Sequence, residues 1–140
     1  MQEQMKSVFL AVDAANLFRS LRTAFPAGAR LNYGALLDWA GRLGRVTTSA
    51  IYVPGNRALQ RERDFLLALK YLGYSRVVCR PPRLRPNGGL KSDLDISLAL
   101  DIWEDALRGD FQVAVIASGD GDFVPLIERL ICRGIEAHAW

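Results

Sequence analysis

The chain has 140 residues, half of them hydrophobic, with a formal net charge of +3 and a pI near 9.1. That length fits one domain around one core, no apolar stretch is long enough to span a membrane, and no segment has the basic, apolar, small-residue order of a secretory signal. Two isolated cysteines, Cys79 and Cys132, make neither a zinc site nor a disulfide framework and read as reduced core thiols of a cytoplasmic protein, while a single histidine, His138, argues against Ser-His-Asp or Cys-His chemistry.

Residues 8–12 are a short apolar run, predicted as a buried strand. Residues 16–23 read as a short helix with Asn16 as its N-cap. Residues 33–43 form a second helix whose apolar face is Leu36, Leu37, Ala40 and Leu43. Residues 46–53, rich in β-branched side chains, form the second strand and stop at Pro54-Gly55-Asn56. Residues 58–72 read as a long helix carrying Leu59, Phe65, Leu66, Leu69 and Leu72, with Gly73 placed as a C-cap. Residues 76–79 are a third strand. Three prolines and two glycines within residues 81–89 break both periodicities and predict a loop. Residues 92–107 form the longest helix, 113–117 the fourth strand, 123–133 a helix that tolerates Pro125 in its first turn, and 135–139 the fifth strand. A closing helix is expected beyond Trp140.

Strands alternating with helices predict an α/β domain, a parallel sheet with crossover helices on both faces. Ligand sites in such sheets lie outside the carboxyl ends of the strands, near the switch in strand order. Two acids fall at such ends. Asp13 directly follows residues 8–12, and Asp120 follows residues 113–117 after a Ser118-Gly119 turn. In a 3-2-1-4-5 order these two strands are neighbours, and Asp13 and Asp120 face each other.

A third acid comes from the longest helix. At about 100° per residue, Ser97, Asp101, Glu104, Asp105 and Arg108 share the solvated face, and Asp95 falls nearly opposite, among Leu98, Ala99, Ile102 and Ala106. A carboxylate on a buried stripe costs several kcal/mol, on the order of a lost ion's solvation, unless it is paired or metal-bound. An ion pair with Lys91 or an arginine would serve equally. The Ser118-Gly119-Asp120-Gly121-Asp122-Phe123 turn is hard to explain by packing. Asp122 fits an N-cap of the following helix as well as a site residue, and Ser118 fits either a small turn residue or a hydrogen-bond partner of an acid.

Clustered carboxylates repel, and a hard divalent cation relieves that repulsion. Oxygen ligands without cysteine or histidine favour Mg²⁺ or Mn²⁺ over zinc. Such an ion can activate water and stabilise charge on a phosphodiester. Arg76, Arg80, Arg83, Arg85 and Lys91 crowd one stretch and suit a polyanionic partner.

Val12-Asp13-Ala14-Ala15-Asn16, the Lys91 to Asp101 stretch KSDLDISLALD, and Ser118 to Phe123 with Pro125-Leu126 resemble the NYN domain, a branch of the PIN-like nuclease superfamily, close to its LabA-like members. The resemblance runs from Val8 to Ala139. It implies a three-layer α/β/α fold with a five-stranded parallel sheet in 3-2-1-4-5 order and metal-dependent cleavage of RNA. By position, Asp13, Asn16, Asp95, Asp120 and Asp122 match family site residues, and Asp101 matches a recurrent aspartate. Ser92-Asp93-Leu94 departs from the pattern, which has a glycine and slightly different spacing there, and this leaves the role of Lys91 open.

The expectation is therefore a metal-dependent endoribonuclease-like hydrolase. Asp13, Asp95 and Asp120 would hold Mg²⁺ or Mn²⁺, with Asp122 beside them. Asn16, Ser118 and Asp101 would support the site. Arg80, Arg83, Arg85 and Lys91 would contact single-stranded RNA. Tyr52, Tyr71 and Tyr74 are each either a base-stacking platform or partly buried. The alternatives are a non-catalytic RNA-binding or scaffold module on the same fold, and a phosphatase or phospho-acceptor domain. The phosphatase lacks its second acid, because position 15 is alanine, and the phospho-acceptor lacks its early acidic pair, because Glu3 lies outside the strand. A homodimer through an exposed apolar face is left open.

Overall fold

The computed structural model describes residues 5–25, 30–84, 86, 90–91 and 94–140. In chain order the elements are β1 (Ser7–Asp13), α1 (Ala14–Ala24), α2 (Tyr33–Gly41), β2 (Arg45–Pro54), α3 (Gln60–Leu72), β3 (Arg76–Arg80), β4 (Arg83–Leu84), β5 (Leu90–Lys91), α4 (Leu94–Arg108), β6 (Val113–Ala117), α5 (Val124–Cys132) and β7 (Glu136–Ala139). The main sheet has five strands in the order β3-β2-β1-β6-β7, and every pair is parallel. Numbered among themselves these strands run 3-2-1-4-5, so the chain leaves the centre of the sheet in one direction and returns to fill the other side. No helix among the described residues is long and apolar enough to cross a membrane.

Strand β1 is central and buried on both faces, which is why it reads as an unbroken apolar run rather than an alternation. Val8, Leu10 and Val12 point to one layer and pack with Leu17, Leu36, Leu66 and Leu69. Phe9 and Ala11 point to the other, where they meet Leu98, Ile102 and Leu130. The two cores are separated only by the sheet, so truncating Leu10, which is 0% exposed, would cost about 2–5 kcal/mol. Gly73 adopts φ 121° and ends α3, the C-cap the sequence predicts. Between α2 and β2, a Cβ on Gly44 would collide with the Lys6 carbonyl, so the close approach there requires glycine.

Three expectations need correction. Helix α4 buries Leu94, Leu98, Ile102, Asp105 and Ala106, whereas Ile96, Leu100 and Leu107 are exposed. The wheel thus placed Asp105 on the wrong face: it is 7% exposed. It is held there with Arg108 Nη1 at 3.4 Å from Oδ1 and with the charge of Arg76 nearby. A single wheel weighs apolar count, and α4 carries apolar residues on both faces. Cys132 is exposed at the end of α5, not a core thiol, while Cys79 is half-buried on β3. Finally, the stretch predicted as loop contains β4, paired antiparallel with β5 through Arg83↔Lys91 and Leu84↔Leu90.

Candidate functional site

Strands β1 and β6 lie side by side with Val12 opposite Ala117, so Asp13 and Ser118 leave the sheet together. Asp13 ends β1 and is at once the N-cap of α1: its Oδ1 accepts the Asn16 backbone N–H at 3.2 Å. Its other oxygen, Oδ2, accepts the Ser118 hydroxyl at 3.0 Å. Ser118 Oγ in turn accepts the Asp120 N–H at 3.1 Å, and the Gly119 N–H donates to Asn16 Oδ1 at 2.7 Å. Two loops more than a hundred residues apart in sequence are thereby tied by two hydrogen bonds, Ser118 to Asp13 and Gly119 to Asn16, with one local bond bracing each loop.

That carboxylate is 6% exposed and Ser118 is 7% exposed. Burial is the main influence on Asp13 and pushes its pKa above the ordinary carboxylate value. The Asn16 amide, the Ser118 hydroxyl and the Arg19 guanidinium pull it down, and the nearby Asp120 charge pushes it up again; the net direction is upward. Asp13 is held in place by neutral dipoles and faces a second acid.

The division of labour differs from the expected one. Asn16 is not the cap of α1; Asp13 is, because the helix begins two residues earlier than the apolar pattern suggests. Nor does Asp122 cap α5. A 3₁₀ turn (Gly121–Phe123) intervenes, and Asp120 caps that turn by accepting the Asp122 N–H at 2.9 Å. Helix α5 follows with Phe123 as N-cap, no side-chain cap bond, and Pro125 in the first turn. Asp120 is half-buried and Asp122 exposed.

Asp95 lies in the first turn of α4, half-buried, with Oδ1 accepting its neighbour Ile96 N–H at 2.9 Å. Asp101, also half-buried, accepts the Tyr52 hydroxyl at 2.7 Å. Tyr52 is the register partner of Asp13 on β2, so Asp101 approaches the acidic end of the sheet through that ring. Tyr52 is 1% and Tyr74 3% exposed, so neither is a stacking platform, whereas Tyr71 is 89% exposed. Arg80 is exposed at the end of β3, and its carbonyl accepts the Gly55 N–H. Arg83 and Lys91 are backbone partners in β4 and β5. Arg85, Ser92 and Asp93 lie outside the described residues. Arg19 was not anticipated, though it stands at i+3 from Asn16 on α1, the spacing that puts both on one face.

Among the described residues, no three His, Cys, Asp or Glu side chains are gathered as a metal cage. The pair Asp13 and Asp120 is a donor set of another kind. Mg²⁺ usually keeps several waters and binds through one or two carboxylates together with substrate phosphates. A buried carboxylate held by one hydroxyl and one backbone amide, with an unfavourable second acid nearby, fits such an ion.

A model of the NYN domain matches residues 7–139. The chain belongs to the NYN domain family. NYN domains are a PIN-like nuclease family, and the matched span contains Asp13, Asn16, Asp95, Asp101, Ser118, Asp120 and Asp122. Among solved structures, this NYN domain is similar to a protein of unknown function, VPA0982, from Vibrio parahaemolyticus RIMD 2210633. The TM-score is 0.83 at 24% identity, covering 99% of this chain and 83% of that one, a likeness of fold. No curated protein matches the chain.

Proposed function

We propose that this NYN domain is a metal-dependent ribonuclease of the LabA-like kind, hydrolysing phosphodiester bonds of single-stranded RNA in the cytoplasm. The observation that carries the reading is the buried Asp13 carboxylate. It is held by a hydroxyl and a backbone amide, set beside Asp120, and its pKa is raised, mainly by burial and further by the Asp120 charge. Asp13 and Asp120 would hold Mg²⁺ or Mn²⁺, with Asp95 adding an oxygen from α4 and Asp122 next to them. Such an ion, when bound, supplies Lewis acidity and an activated water for phosphodiester hydrolysis.

The chain's own residues do the positioning. Ser118 and the Asn16 amide fix both oxygens of Asp13, and the Asn16 side chain pins the Gly119 amide, so the two loops move as one. Asp120 is held at the start of its own turn. Arg80, Arg83, Arg85 and Lys91 would meet the RNA backbone, a sequence-independent and salt-sensitive contact. The test is cleavage of labelled single-stranded RNA with Mn²⁺, comparing wild type with Asp120→Asn. The expected result is metal-dependent cleavage that Asp120→Asn abolishes. Absence of metal-dependent cleavage, or equal cleavage by the variant, overturns the reading. RNA binding that persists in EDTA would then point to a scaffold module.

A further inference from the structure

A cavity of about 600 Å³ opens beyond the carboxyl ends of β2 and β3, between α1, α2 and α3. That volume is in the range of small-molecule sites. One wall is a cluster of three rings. Phe18 and Tyr33 centroids are 6.5 Å apart, Phe18 and Phe65 6.4 Å, and Tyr33 and Phe65 5.6 Å. Two guanidiniums, Arg30 and Arg61, also line it. Both arginines are exposed, and neither is in an ion pair among the described residues. The Tyr33 hydroxyl, on a side chain 9% exposed, has no hydrogen-bond partner among the described residues. The one acid in the lining, Glu62, is committed: its Oε2 accepts the Asn56 N–H.

These features ask for a ligand with two halves. A purely apolar molecule would leave the two cations unused, and a bare phosphate or sugar phosphate would leave the ring wall unused. An aromatic base bearing a phosphate uses both, through stacking on the rings and charge-assisted contacts to the arginines. The place is apt as well. Asp13 is in register with Tyr52, and the cavity is lined by the last residues of β2, Val53 and Pro54, and by Gly55 after it. At about 3.3 Å per residue the two sites are roughly 10 Å apart along the edge of the sheet.

We propose that this cavity holds one nucleotide, its base against Phe18, Tyr33 and Phe65 and its phosphate on Arg30 and Arg61. As a subsite for a nucleotide of the RNA strand, it rests on the ribonuclease reading; a free mononucleotide offers the same chemistry.

Two thiols make the test. Cys79 lines the cavity, and Cys132 is exposed at the end of α5, outside it. Alkylation of each by iodoacetamide is followed by mass spectrometry on the full chain in EDTA. Adenosine 5′-monophosphate is expected to slow alkylation of Cys79 and leave Cys132 unchanged. Ribose 5-phosphate should need about tenfold more ligand for the same protection, the low end of what one stacked base contributes. Arg61→Glu, on an exposed position, should raise the half-protecting concentration of the nucleotide by about tenfold, one charge-assisted contact. Asp120→Asn should protect like wild type, so that a failed nuclease reading and a failed cavity reading give different results. Protection by an oligoribonucleotide identifies the strand as the source; protection by the mononucleotide alone identifies a free nucleotide. No protection of Cys79 by either, equal protection by ribose 5-phosphate, or no effect of Arg61→Glu overturns the proposal.

Discussion

Asp13 and Asp105 are both buried, at 6% and 7% exposure, and burial raises the pKa of each. Their surroundings separate them. Asp105 sits on the inner face of α4 with Arg108 at 3.4 Å and the charge of Arg76 close by, so two cations of the chain itself offset part of its burial, against the charges of Asp110 and Glu104. Asp13 has one more distant cation, Arg19, and its direct partners are a hydroxyl and an amide; its nearest charged opponent is Asp120. A buried acid with arginines has finished its work in the fold. A buried acid held by dipoles opposite another acid is still short of positive charge, and that shortage marks the site.

The largest effect that can break this comparison is on catalysis. Asp13→Asn should lower metal-dependent RNA cleavage by about 100-fold or more, ~2.7 kcal/mol of barrier, whereas Asp105→Asn should leave cleavage per folded molecule within about twofold. Equal losses would erase the distinction. Next comes stability. Arg76→Ala strips Asp105 of a compensating charge and should cost about 2 kcal/mol in urea unfolding, while Arg19→Ala, at an exposed position beside Asp13, should cost less than about 0.5 kcal/mol.

A smaller and opposite effect is expected at Asp13 itself. Its folded pKa lies above the ordinary value of 3.8. Below that value the acid is protonated in both the folded and the unfolded chain, and its titration does not affect folding. As pH rises through the folded pKa, the folded protein must ionise a buried group, and stability is lost. Asp13→Asn keeps the capping oxygen and removes the charge. It should therefore be more stable than wild type in EDTA at neutral pH, by roughly 1 kcal/mol or about 3 °C, with a gap that narrows toward pH 4. Added Mn²⁺ should raise the melting temperature of wild type and not of the variant. A variant less stable than wild type at neutral pH would mean that the Asp13 charge is already compensated.

Much of this was legible in the sequence because it rests on periodicity and on chain ends. The five sheet strands follow from apolar runs alternating with helices; their order is what the resemblance to the NYN domain implies, and the adjacency of Asp13 and Ser118 follows from β1 pairing with β6. What failed depended on one-residue geometry. Capping went to Asp13 and Asp120 rather than Asn16 and Asp122, because a helix start and a 3₁₀ turn shift the first free N–H by two or three positions. The inner face of α4, with Leu98, Ile102 and Ala106, follows the periodicity; only Asp105 departs from it, turning inward beside Arg108 and the charge of Arg76 on β3, which no helical pattern shows. The ring cluster of Phe18, Tyr33 and Phe65 joins three helices, and no local pattern announces it.

The smallest effect concerns a third acid, Asp101, which lies between the two extremes. It is half-buried and accepts a single hydroxyl, Tyr52 Oη, at 2.7 Å. Burial and the Asp101 charge push the Tyr52 hydroxyl far above its ordinary value, so it remains a donor at any working pH. Tyr52→Phe removes only that donor from a ring that is 1% exposed, and water can replace it at Asp101, so the loss should be about 0.5–1 kcal/mol. Cleavage separates two roles for the acid. If Asp101 belongs to the fold, as Asp105 does, Tyr52→Phe should cleave RNA within about twofold of wild type when compared per folded molecule. If the ring holds Asp101 in place for the ion at Asp13, its register partner, then cleavage should fall more than about tenfold, and the KM for Mn²⁺ should rise with it. The first outcome is expected, because Tyr52 reaches Asp101 through a single hydrogen bond, whereas both oxygens of Asp13 are tied to the loops that carry the site.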